Sequence, residues 1–186
     1  MHKINNLKNK LKDGQEVIGT WSSLSSPNVI NVLGTTGLDF VVIDMEHGSI
    51  SVHQLPCLFR ALELGNTLPL VRVAYGEEKE CKQALDAGAG GVIVPMVERA
   101  ELLEKVRNSV RWPPAGERGV AFSRANLFGK NFTEYSEEAQ SPILVAQLEH
   151  IRAIENLEEI LSVKGLDAVF IGPYDLSASM GLTGQF

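Results

Sequence analysis

Residues 142–149, PILVAQLE, and residues 167–173, DAVFIGP, are two apolar runs that each end in polar groups, joined by the helical stretch IENLEEILSVKG. Both runs are continuous rather than alternating, as in strands covered on both faces of a parallel sheet. Between them Ile154, Leu157, Ile160 and Leu161 recur at helical spacing and stop at Gly165, a favoured residue just past a helix end. The unit is strand, polar exit, helix. It repeats upstream in VIGTW (17–21), DFVVID (39–44), PLVRV (69–73) and GGVIVPM (90–96), with RGVA (118–121) as a candidate short extra strand. Leu55, Leu58, Phe59 and Leu62 form one intervening helical stripe, and Leu102, Leu103, Val106 and Val110 another. Ile4, Leu7 and Leu11 mark an N-terminal helix over residues 3–13, closed by Gly14.

Repeated βα units imply right-handed crossovers and a parallel sheet, either doubly wound or closed as a barrel. No G-x-G-x-x-G follows the first strand, which weakens the dinucleotide-binding version. Polar candidates follow several different strands, and a barrel gathers all its strand C-termini on one rim. The expectation is a single domain over residues 1–186, a TIM-type (β/α)8 barrel of which about six βα units are present. A closed barrel of this kind takes about 250 residues. The last two strands and a C-terminal helix are therefore expected to be missing.

A chain of 186 residues with 44% apolar content can bury a sizeable core. The formal charge of −6 argues against a nucleic-acid partner, which wants a basic face. No apolar run reaches the length of a membrane span, and the N-terminus lacks the apolar centre of a signal peptide. Cys57 and Cys81 are isolated, which suggests a reducing compartment. The expectation is a cytoplasmic protein without membrane or nucleic-acid partners.

The chemistry gathers at the strand exits. Glu149 and Asp175 leave successive strands, so both carboxylates reach one rim about one strand apart. Two hard oxygen ligands suit Mg²⁺ or Mn²⁺, and helix capping by the same acids is the competing reading. Arg72 ends its strand as a guanidinium shaped for a bidentate grip on a carboxylate, or for a structural ion pair. His47 in DMEHG (44–48) is the natural proton carrier near neutral pH. Asp44 and Glu46 are placed to orient water, the surroundings of a metal, or His47. Asp86, near a helix end, is a further candidate partner for an imidazole or a solvated acid. A metal that chelates a 2-oxoacid, an arginine for its carboxylate and a base together suggest aldol cleavage or condensation through pyruvate enolate. No strand carries a lysine, which leaves a Schiff-base route without its nucleophile on the strands present.

DMEHG, VPMVERAEL, RWPPAGERGV, SRANLFG, LVAQLEH and DAVFIGPYDLSASMGLTG, in this order along nearly the whole chain, resemble the HpcH/HpaI family of class II pyruvate aldolases. The resemblance implies a (β/α)8 barrel, usually a hexamer, with a C-terminal helix exchanged between neighbours. It implies a divalent metal (Mg²⁺, Mn²⁺ or Co²⁺) held by Glu149 and Asp175, and no organic cofactor. His47 matches the catalytic base, with Asp86 as its acidic partner across a subunit interface. Arg72 matches the residue that binds the pyruvate carboxylate. Gln147, Pro173, Tyr174, Asp175 and Trp21 match substrate-lining positions, with Gly172 shaping the turn before Pro173. The substrates implied are pyruvate, or its 4-hydroxy-2-oxoacid adduct, and an aldehyde. Arg118 and Arg124 either read an acidic aldehyde or tie their loop down. The alternatives are an acyl-CoA lyase of the citrate-lyase β type, which would need a basic surface for CoA phosphates, or a catalytically inactive shortened barrel.

Overall fold

The computed structural model describes residues 2–186, the side chain of His2 excepted. The first elements are α1 (His2–Lys12), β1 (Gly19–Ser22), α2 (Pro27–Gly34), β2 (Phe40–Asp44), α3 (Leu55–Leu62) and β3 (Leu68–Arg72). They are followed by α4 (Glu78–Asp86), β4 (Gly91–Val94), α5 (Ala100–Val110), a 3-10 turn (Arg124–Gly129) and α6 (Phe132–Glu138). β5 (Ile143–Leu148), α7 (Ile151–Glu155), α8 (Leu157–Leu161), β6 (Ala168–Ile171) and α9 (Pro173–Ser179) complete the order. The six strands are all parallel, in the order β1-β2-β3-β4-β5-β6. Residues 118–121 lie outside any strand.

In β2 to β5 the continuous apolar runs are explained by burial on two faces, whereas β6, an outer strand, does not meet that expectation and leaves Val169, Phe170 and Ile171 exposed. One face of the sheet, carrying Val41, Ile43, Val71, Val92, Val94, Leu144, Ala146 and Leu148, packs against the helices. The other face carries Phe40, Val42, Leu68, Leu70, Ile93, Ile143, Val145 and Ala168, which meet each other and Ile4 and Leu7 of α1. β1 and β6 are the two outer strands, yet the rings of Trp21 and Phe170 lie 5.1 Å apart. The sheet is therefore curled into an open barrel, and its inner face is a packed core.

α1 lies across the N-terminal ends of the strands. Lys8 Nζ is 3.0 Å from Asp167, just ahead of β6, and 2.8 Å from Ser141 Oγ, ahead of β5. Lys10 pairs with Asp39 at 2.5 Å, ahead of β2, and Lys3 donates to Gly65 O at 2.8 Å, ahead of β3. On the outside, α2 and α3 approach so closely that a Cβ on Gly65 would fall 1.6 Å from Gly34 O. Only glycine fits there.

Two local features depart from the periodicity. The stripe from Ile154 to Leu161 is split into α7 and α8, because Asn156 leaves helical geometry (φ −102°, ψ 18°) and its Nδ2 donates to Glu98 O at 2.9 Å. Ile160 of that stripe is buried while Ile154 and Leu161 are exposed. The helices α2 and α6 lie outside the stripes read from the sequence and are short, eight and seven residues. Among the described residues, no helix is long and apolar enough to cross a membrane.

Candidate active site

The inner face of the barrel changes character along each strand. In β2 it reads Phe40, Val42, Asp44; in β3, Leu68, Leu70, Arg72; in β5, Ile143, Val145, Gln147, and then Glu149 one step beyond. Alternation keeps all of these on one face, so the apolar core ends in a polar layer at the C-terminal rim. The parallel register sets Asp44 directly beside Arg72.

These neighbours form one network. Arg72 Nε donates to Asp44 Oδ1 at 2.9 Å and Nη2 to Asp44 Oδ2 at 2.6 Å. Its bidentate edge is thus held by Asp44 within the protein, and Nη1 is the end turned towards Glu46 Oε2 (3.1 Å) and Gln147 Oε1 (3.5 Å). The Trp21 ring lies beneath the guanidinium, 4.7 Å from its centre. Asp44 Oδ1 also accepts from the backbone N–H of Glu46 and His47, which turns the chain at the strand exit. Burial pushes the Asp44 carboxyl up, but the hydrogen bonds from Arg72 and from the His47 backbone outweigh it and hold it below the ordinary range. Asp44 therefore orients the guanidinium and the His47 backbone. His47 itself sits exposed at the rim, close enough to Glu46 for their charges to interact.

Glu149 is 2% exposed. Its Oε1 accepts from the Met96 backbone N–H at 2.7 Å, and its Oε2 accepts from Gln147 Nε2. A Cβ on Gly172 would fall 2.7 Å from Glu149 Oε2, so the glycine makes room for this carboxylate. Gly172 opens α9, and Asp175 lies exposed in its first turn after exposed Pro173 and Tyr174. Glu46 is the other acid of the network. Burial and then the charge of Glu149 hold its carboxyl above the ordinary range, against the pull of Arg72. Glu46 Oε2 is buried and lacks an aligned hydrogen bond, although Arg72 is near enough for an ion pair.

Arg72 thus faces three acids, Asp44, Glu46 and Glu149, and Asp44 takes its bidentate edge. Among the described residues, no group of three or more His, Cys, Asp and Glu is arranged to hold a metal. The candidates that remain are the two carboxylates expected from the sequence, Glu149 at the exit of β5 and Asp175 in the first turn of α9. Hard oxygen donors beside uncompensated negative charge fit a divalent cation completed by water or substrate.

Asp86 is not brought to this rim. It ends α4, and a helix that follows a strand runs back to the strand's N-terminal end. There burial raises its carboxyl, opposed by Arg118 and Lys82, and Oδ1 has no hydrogen-bond partner. A groove of about 580 Å³ beside it is lined by His53, Arg60, Arg124, Leu127 and Phe128 among others. Arg118 is 1% exposed, donates to Tyr135 Oη at 2.8 Å and to Val110 O at 3.2 Å, and stacks over Trp112. Arg124 binds Glu63 and the Ala87 carbonyl. Both arginines tie their loop down.

The profile of the HpcH/HpaI aldolase/citrate lyase family matches residues 17–185. The chain belongs to this family. Like its aldolase relatives, this family member is an enzyme of the lyase class. It is 40% identical over 186 residues to a hydroxypyruvate/pyruvate aldolase of Roseobacter denitrificans, covering 98% of this chain and 72% of that one. It is 38% identical over 179 residues to 2-keto-3-deoxy-L-rhamnonate aldolase of Escherichia coli K12, covering 95% and 67%. A crystal structure of an HpcH/HpaI aldolase/citrate lyase family protein from Burkholderia cenocepacia superposes with a TM-score of 0.90 at 34% identity, covering 97% of this chain and 74% of the other.

Proposed function

We propose that the protein is a divalent-metal-dependent aldolase that cleaves or forms a 4-hydroxy-2-oxoacid, with pyruvate and an aldehyde as the other side of the reaction. The observation that carries this reading is the rim itself. A buried, oriented carboxylate, Glu149, stands beside a guanidinium whose Nη1 end is turned towards Gln147. The names of the aldolase relatives support the pyruvate half.

When bound by Glu149 and Asp175, a divalent cation supplies Lewis-acid polarisation of the substrate ketone. Arg72 receives the oxoacid carboxylate at its Nη1 end while Asp44 keeps the guanidinium from turning. The first-turn N–H groups at Tyr174 and Asp175 meet the same carboxylate. Gln147 links Arg72 to Glu149, and Trp21 closes the site from below. In the cleavage direction His47 takes the proton from the C4 hydroxyl. The C3–C4 bond breaks as the aldehyde carbonyl forms, and its electron pair passes to pyruvate enolate, which a proton then quenches. Asp86, remote from the rim of its own chain, serves His47 of a second copy, so the active form is a homo-oligomer.

The test is pyruvate release from 4-hydroxy-2-oxoacids, followed by a coupled dehydrogenase assay. Release should vanish with EDTA and return with Mn²⁺. Pyruvate release that persists in EDTA would overturn the mechanism.

A further inference from the structure

Among the described residues, the residues other than glycine with positive φ are Met96, Leu127 and Phe128. Leu127 and Phe128 belong to the 3-10 turn on the outer face. Met96 (φ 50°) lies two residues past the end of β4, at the rim. Side chains with a Cβ rarely adopt this conformation, and such outliers persist where the surroundings enforce them.

The surroundings of Met96 show what is enforced. Its side chain is 43% exposed, so packing of that side chain is a weak reason for the backbone shape. Its N–H donates to Glu149 Oε1 at 2.7 Å, and the next N–H, that of Val97, donates to Gln147 O at 3.2 Å. In an extended chain consecutive N–H groups point to opposite sides. Here both reach the same stretch, Gln147 in β5 and Glu149 just past its end, because Met96 leaves the extended conformation between them. The flanking Pro95 and Val97 are buried, so the turn is anchored at both ends. On the other side Gln147 Nε2 and the bare Cα of Gly172 close around Oε2.

We infer that Met96 is a positioning residue whose left-handed backbone aims its N–H at Glu149 and fixes the direction in which that carboxylate is presented to a divalent cation. The inference rests on the reading that Glu149 holds the metal. What matters at position 96 is tolerance of positive φ, with the thioether a bystander. Glycine and asparagine adopt this conformation readily, whereas a β-branched side chain resists it.

The experiment is Mn²⁺ binding to the metal-free protein, read by electron paramagnetic resonance, for Met96→Gly, Met96→Asn, Met96→Val and Glu149→Gln beside the parent. Folding of each is checked by circular dichroism. Met96→Gly and Met96→Asn should bind within about threefold of the parent, and Met96→Val about 10–100-fold more weakly, as expected when a group that orients a metal ligand is lost. Parental affinity in folded Met96→Val overturns the inference, as does loss of affinity in Met96→Gly. If Met96→Val does not fold, the glycine and asparagine variants decide alone, since a role for the side chain predicts that both lose affinity. Glu149→Gln separates the two levels. If it binds Mn²⁺ like the parent, the metal-holding reading fails; if it weakens binding, the Met96 series judges the positioning role by itself.

Discussion

The two ends of the same strands carry charge in opposite ways. At the N-terminal end three of the four α1 lysines are matched, Lys8 by Asp167, Lys10 by Asp39, and Lys3 by backbone carbonyls. At the C-terminal rim one guanidinium faces Asp44, Glu46 and Glu149, and Glu46 is left with its carboxyl raised. Matched pairs at the first end hold a helix across the opening. Unmatched charge at the second end is the electrostatic mark of a site shaped for something not supplied by the chain. Residue types alone do not separate the two ends, since each has both signs.

That contrast can be broken most forcefully at the rim. Under the proposed mechanism His47→Ala should lower kcat/KM by about 10²–10⁴, the usual range for loss of a general base, with the circular dichroism spectrum unchanged. Next, Gly172→Ala pushes a methyl group into Glu149 and should weaken Mn²⁺ binding about 10–100-fold in a folded protein, measurable by calorimetric titration. The opposite end should behave otherwise. Lys8→Met removes contacts to Asp167 and Ser141 and should cost about 1 kcal/mol or less in urea unfolding, with pyruvate release unaltered. A catalytic defect in that variant would erase the distinction between the ends.

The smallest effect is a dependence on pH. The hydrogen bond from Lys10 holds the Asp39 carboxyl below its ordinary range, against a lesser push from burial. A depressed folded pKa means stability that is present above the unfolded value, about 3.9, and lost as the pH falls through the folded one. Asp39→Asn should therefore be slightly less stable than the parent at pH 7, and the gap should close as the pH drops below about 3.9. A gap that widens on acidification would show that another group dominates.

The central strands were legible because burial on two faces writes itself into consecutive residues, as in residues 41–43 or 143–146, while β6 has the same apolar run without the burial. The stripe of Leu55, Leu58, Phe59 and Leu62 was equally plain, and all four are buried. The polar exits at Asp44, Arg72, Gln147 and Glu149 could be read for the same reason, since each continues an inward-facing alternation. Partners were not legible. Arg72 offered its fork to any carboxylate, and only the register of β2 on β3 shows that Asp44 takes it. Asp86 sat a helix away from a strand exit in sequence and ends at the far side of the barrel. Nothing local announces Met96, because the partner of its N–H, Glu149, lies 53 residues on.

One carboxylate has a consequence that reaches beyond its own contacts. Asp44 receives both nitrogens of one Arg72 edge and the two N–H groups that launch the turn carrying His47. The guanidinium and the turn that carries His47 therefore share a single mechanical pivot, and their errors are correlated. Free energies assigned to Asp44, Arg72 and His47 by separate substitutions should not add, because removing Asp44 also disturbs what the other two are measured against. In this rim the thermodynamic unit is the β2 exit as a whole.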